Sequence, residues 1–78
     1  MSYGYSQRLI EANKVAGDSL GVALGRLCIE RDISVNHVSN DLGVSRATIY
    51  NWFWGLTIPA KKYEESIATF MRQHKKRK

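Results

Sequence analysis

The chain has little of what holds many small proteins together or gives them chemistry. Its 78 residues include one cysteine, Cys28, and one proline, Pro59. A lone thiol closes no intramolecular disulfide, so a disulfide framework is excluded and a reducing compartment is expected. No apolar run is long enough to span a bilayer, and there is no basic start followed by an apolar stretch and a cleavage site. The expectation is a soluble, cytoplasmic protein with no membrane partner. Groups able to do chemistry are also scarce. His37 and His74 fall on different predicted helices, and Cys28 has no basic or histidine neighbour at helical spacing apart from Arg31. No cluster has the spacing of metal ligands, and the glycines are too dispersed for a phosphate-cradling loop. An enzyme is therefore not expected, nor a metal or cofactor.

The sequence does carry charge, unevenly placed. Net charge is +5, yet residues 1–71 hold seven basic and seven acidic side chains that cancel. The whole excess lies in Arg72, Lys75, Lys76, Arg77 and Lys78. Such a tail can neutralise phosphates and add affinity for nucleic acid without reading sequence. The plainer alternative is that cations at a helix C-terminus complement its dipole and aid solubility. Because the rest of the chain is neutral, the DNA-contacting arm is the favoured reading.

The most organised stretch is Ile33 to Trp54, ISVNHVSNDLGVSRATIYNWFW. Ser34 can cap a helix by accepting a bond from an unpaired backbone N–H, and Val35, Val38 and Leu42 then recur near the helical period. Gly43 suits the left-handed stop of that helix, Ser45 supplies the next cap, and Gly55 ends the second helix. If Ile49 and Trp52 point inward, a step of about 100° per residue leaves Arg46, Ala47, Tyr50, Asn51 and Trp54 on the outer stripe. An arginine early in such a helix can bond guanine O6 and N7, an asparagine can bond adenine N6 and N7, and Tyr50 or Ala47 can touch a thymine methyl. Read alone, the same residues equally suit a solvated helix face.

From Ser19 to Pro59 the chain resembles the helix-turn-helix family of lambda repressor and Cro. The resemblance rests on Leu20-Gly21, Leu24, Leu27, Ile33-Ser34, Val38, Leu42-Gly43-Val44-Ser45, Thr48-Ile49, Trp52, Gly55 and Pro59, and it covers about half of the chain. It implies a small all-α domain of four to five helices that acts by occupying a near-palindromic double-stranded DNA operator as a homodimer. It also implies a transcriptional regulator, a repressor of the Cro type in a prokaryotic cell or phage-infected host, with RNA polymerase as a further contact. The family's base-reading positions fall on Ser45, Arg46, Ala47, Tyr50 and Asn51. Its backbone contacts fall near Ser34 and Thr48, and Asn36, Lys61, Lys62, Lys75, Lys76, Arg77 and Lys78 are added as phosphate contacts.

Departures from the family pattern mark other questions. Val35 stands where the family often has a bracing Gln, and Ser39 replaces a small Ala beneath the turn. Phe53 and Trp54 occupy places that commonly carry charge, and both are candidates for a subunit or partner contact. Aromatic residues are enriched at protein interfaces, so an inhibitor or antitoxin that grips a protein with Tyr50, Phe53 and Trp54 is the main rival reading. A third is an accessory protein of phage DNA packaging or recombination.

Two helices frame the motif. Residues 6–16 place Leu9, Ala12 or Asn13, and Ala16 on one side, with Tyr3 and Tyr5 available to anchor the start, and Gly17 is the expected stop. The family resemblance implies that residues 19–31 bury Leu20, Ala23, Leu24 and Leu27, while Val22, Gly25, Cys28 and Ile29 form an opposite face that is small and apolar where such relatives usually carry charge. Gly17, Gly21 and Gly25 recur every fourth residue, which predicts close approach of another backbone, since each glycine inside a helix costs roughly 1 kcal/mol relative to alanine. The cover is either the N-terminal helix of the same chain, the favoured choice, or a second subunit. After Pro59, residues 60–74 form one continuous helix with Tyr63, Ile67, Phe70 and Met71 on one face. Lys61 and Lys62 oppose its dipole, a cost that a nearby phosphate would offset, although ordinary solvation serves equally well. The expected organisation is one domain over 1–74, with an extra N-terminal helix, and a basic tail over 75–78.

Overall fold

Four serines start four of the helices. In the computed structural model, which describes residues 5–75, the helices are α1 (Gln7–Lys14), α2 (Leu20–Arg31), α3 (Val35–Leu42), α4 (Arg46–Trp54) and α5 (Lys61–Lys75). The described residues contain no strand. Ser6, Ser19, Ser34 and Ser45 precede α1 to α4 with extended backbones, and each hydroxyl oxygen accepts from the N–H three residues on, at 3.1–3.2 Å. Each cap satisfies a donor that helix geometry would otherwise leave unpaired. At the other ends Gly43 (φ 67°) and Gly55 (φ 79°) close α3 and α4 in the left-handed conformation. Asp32 does the same for α2 at φ 58°, an uncommon choice for a residue with a side chain.

The apolar faces converge on a single core. Leu24 of α2, Ile49 and Phe53 of α4, and Ile67 of α5 are fully buried at its centre. Each such side chain contributes about 1.5–3 kcal/mol relative to leaving it in water. Helix α2 is the hub, packed against α1, α4 and α5, while α3 lies against α4 and α5. Pro59 is buried just before α5, which runs unbroken to Lys75 as its periodicity predicts.

The glycines of α2 are explained by what lies on them. A Cβ at Gly21 would sit 2.7 Å from Trp52 Cβ and 3.2 Å from Trp52 Cα, so here the backbone of α4 comes close. At Gly25 it would sit 2.8 Å from the Asn13 amide nitrogen and 2.9 Å from Phe53 Cγ. The close approach at Gly21 is made by the backbone of α4, not by the N-terminal helix or a second subunit, while Gly25 is met by the Asn13 side chain of α1 and the Phe53 ring of α4. Gly17 has no atom within 4 Å of that position and serves a turn at φ 104° instead.

The N-terminal helix packs in cis, against both α2 and α4. Asn13, 1% exposed, is its deepest polar group, and its amide nitrogen donates to the carbonyls of Val22 (3.2 Å) and Phe53 (2.9 Å). Arg26 secures the other end of α1: one guanidinium nitrogen donates to the carbonyls of Asn13, Lys14 and Gly17 at 2.9–3.3 Å. Those carbonyls close the helix and its following turn, where a cation also suits the dipole. Tyr5 donates its hydroxyl proton to the Ile33 carbonyl, while Tyr3 lies outside the described residues.

Cys28 is fully buried, and burial pushes its thiol up to about 12. Tyr5 is raised too, chiefly by burial and then by Cys28. Both groups stay neutral in the fold at a pH where the unfolded chain has ionised, so the native state then binds more protons and stability falls as pH rises. For Cys28 the window runs from about 9 to about 12. Urea titrations across that range should show a declining unfolding free energy, with a shallower decline in Cys28→Ala.

Candidate nucleic-acid interface

The stripe read from the sequence lies on the surface of α4. Ile49, Trp52 and Phe53 face the core, which leaves Arg46, Ala47, Tyr50, Asn51 and Trp54 exposed. Trp52 is wedged between Gly21 and the Tyr63 ring, whose centroid is 5.6 Å away. That packing fixes the rotation of α4 about its axis. The outer side chains therefore project from a backbone with little freedom to roll.

The start of α4 is held from two sides. Arg46 donates from Nη1 to Asn36 Oδ1 on α3 at 3.1 Å, joining the first turns of two helices that are ten residues apart in sequence. Asn36, expected only as a backbone contact, is thereby a positioning partner of the arginine. Ser45 Oγ accepts from the Thr48 N–H and lies 3.0 Å from Thr48 Oγ1. Ser34 is committed in the same way to its cap on His37 N, and both serines are exposed. Ser39, the departure beneath the turn, donates its hydroxyl proton to the Val44 carbonyl at 2.6 Å. Its own carbonyl accepts from both Gly43 N and Val44 N. The hydroxyl thus pins the turn that an alanine would merely fill, while Val35 is buried and has no polar role.

Lys61 and Lys62 are exposed at the first turn of α5, with Lys62 Nζ 5.2 Å from the Tyr63 ring centroid. Lys75 closes α5, and Lys76, Arg77 and Lys78 lie outside the described residues.

Two expectations are corrected. Phe53, paired with Trp54 as a subunit contact, is 0% exposed. Its ring faces Tyr5 at 6.1 Å between centroids and packs on Gly25, so the N-terminal segment covers it within one chain. Trp54 stays at the surface, joined by Leu56 (71% exposed) and Ile58 (75%) in the α4–α5 loop. Those two were missed because a loop carries no periodicity to say which way a side chain points. The second correction concerns the histidines. His37 and His74 do lie on different helices, but the fold brings them together with Asp41, their ligand atoms all within 4.8 Å of one another.

Comparison with known protein families, curated proteins and solved structures finds no match. Among the described residues the fold is all-helical, with five helices, and no described helix is long and apolar enough to cross a membrane.

Proposed function

We propose that this chain is a sequence-specific double-stranded-DNA-binding regulator, in which α3, its turn and α4 act as a helix-turn-helix of the lambda-repressor and Cro kind. The observation that carries the reading is the exposed Arg46–Ala47–Tyr50–Asn51 stripe on a helix locked from behind, with Arg46 steadied by Asn36. A helix is about 10–12 Å across with its side chains, which suits a major groove about 12 Å wide, and the nine residues of α4 offer about 13 Å of such a helix. Arg46 and Asn51 are the main base readers, and Tyr50 and Ser45 are auxiliaries. Ser34, Asn36, Thr48, Lys61, Lys62 and the basic tail supply phosphate contacts.

The operator is occupied by a homodimer. The domain measures 30 × 29 × 21 Å, so two copies fit side by side on half-sites about 34 Å apart, one turn of the duplex. Trp54, Leu56 and Ile58 provide apolar surface for such a contact. The same three residues favour the second reading, a module that grips another protein. On this reading, occupancy of the operator is the regulatory act.

Selection of bound duplexes from a random pool at physiological salt tests this directly. A palindromic consensus is expected, and Arg46→Ala should weaken binding to it by about 1–3 kcal/mol while relaxing preference at one base pair. Enrichment of no sequence, or an Arg46→Ala variant that selects the same consensus with equal affinity, would show that α4 does not read bases.

A further inference from the structure

We propose that His37, Asp41 and His74 form a binding site for a divalent transition-metal ion, with zinc as the fitting occupant, that staples α3 to the last turns of α5. This inference is independent of the DNA-binding reading. His37 and Asp41 are four residues apart on α3 and so share one face, with His37 Nε2 already 3.7 Å from Asp41 Oδ2. His74 comes from α5, and its ring lies edge-on to His37 at 5.5 Å between centroids. Phe70, 3% exposed, fixes this arrangement from below: its ring lies 4.2 Å from His74 and 5.9 Å from His37.

The donor set selects the ion. Two imidazole nitrogens and one carboxylate oxygen suit zinc and its neighbours, whereas magnesium and calcium prefer oxygen throughout. Tetrahedral zinc at 2.0–2.1 Å from each ligand needs donors about 3.3 Å apart. The three donors now lie within 4.8 Å, so side-chain rotation has to close each pair by at most about 1.5 Å. His37 and Asp41 are half exposed, which leaves them free to turn. Three protein ligands leave a further position for water, as in open zinc sites. An ion held there would tether the end of α5, the helix that leads into the basic tail, to the first helix of the α3–α4 unit.

Calorimetric titration of the full chain with zinc chloride, together with thermal melts, tests the site. One zinc per chain is expected, and zinc at tenfold its dissociation constant should raise Tm by roughly 5–10 °C. Magnesium chloride should leave Tm unchanged. His74→Gln and Asp41→Asn, on different helices, should each lower zinc affinity more than tenfold. Circular dichroism of each variant without zinc verifies that its helices are intact, and two variants guard against the loss of one. Absence of zinc binding overturns the proposal. So does binding that both variants retain, or binding that depends on Cys28, shown by its loss in Cys28→Ala.

Discussion

Asn13→Asp is expected to destabilise the fold by about 4 kcal/mol at neutral pH, from the change of one NH2 group to an oxygen. The amide nitrogen donates to the carbonyls of Val22 and Phe53 at a position 1% exposed. A carboxylate there would aim negative charge at two carbonyl oxygens, and it would have no water. The new carboxyl must keep its proton in the fold, so its folded pKa rises above the ordinary carboxylate value. Between those two values the native state binds more protons than the unfolded chain, and stability falls as pH rises. The destabilisation relative to the parent should therefore be smaller at pH 4 than at pH 7. Arg26 is bonded to residue 13, but it holds that residue's backbone carbonyl, and swinging it onto the carboxylate would uncap α1. Asn13→Leu separates bond loss from charge: it should cost about 2 kcal/mol and show no such pH dependence. If Asn13→Asp melts within a degree of the parent at pH 7, the buried amide is not bridging α1 to α4.

Asn13 also shows where sequence reading runs out. The 3.6-residue period puts Ala12 or Asn13 on the inner side of α1, but it cannot rank an amide above a methyl without knowing that two carbonyls wait opposite. Those carbonyls lie 9 and 40 residues away. By contrast the starts of α3 and α4 were legible, because a serine cap such as Ser34 or Ser45 acts on an N–H three residues on and needs no tertiary partner. The stops at Gly43 and Gly55 were legible for the same local reason.

The surface of α4 follows one rule and its exception. Placing Ile49 and Trp52 inward gave the exposed stripe from periodicity alone. Phe53 needs the same face, one position on from Trp52, and it buries because α1 folds over it and Gly25 leaves room for its ring. A pattern read along one helix contains nothing about the helix that covers it. His37 and Asp41 are similar: their i,i+4 relation is visible in sequence, but His74 joins them only because α5 runs back along α3. The Arg46–Asn36 bond is a milder case, since both residues were picked out but not as partners.

Gly21→Val should cost about 3 kcal/mol or more, because the crossing of α2 and α4 has no room for a side chain. The Cβ would meet Trp52 Cβ at 2.7 Å, Trp52 Cα at 3.2 Å and Pro59 Cδ at 3.2 Å. None of these atoms can be moved by a change of rotamer, so relief requires α4 or the Pro59 segment to shift as a body. Gly21→Ala should cost less: the same clash is partly offset by about 1 kcal/mol of helix propensity regained. Gly43→Ala is the internal comparison, since its Cβ would meet nothing within 4 Å and it bears only the strain of φ 67°. Urea unfolding of the three variants should rank Gly21→Val as the most damaging, and a Gly21→Val cost no larger than that of Gly43→Ala would mean that the two helices are not in backbone contact. The consequence reaches the outer face. Trp52 is the neighbour of Asn51, so lifting α4 off Gly21 tilts the exposed stripe while leaving its residues unchanged. On the DNA-binding reading, Gly21→Ala measured where it is still folded should lose affinity for the selected duplex although residue 21 lies on the far side of α4.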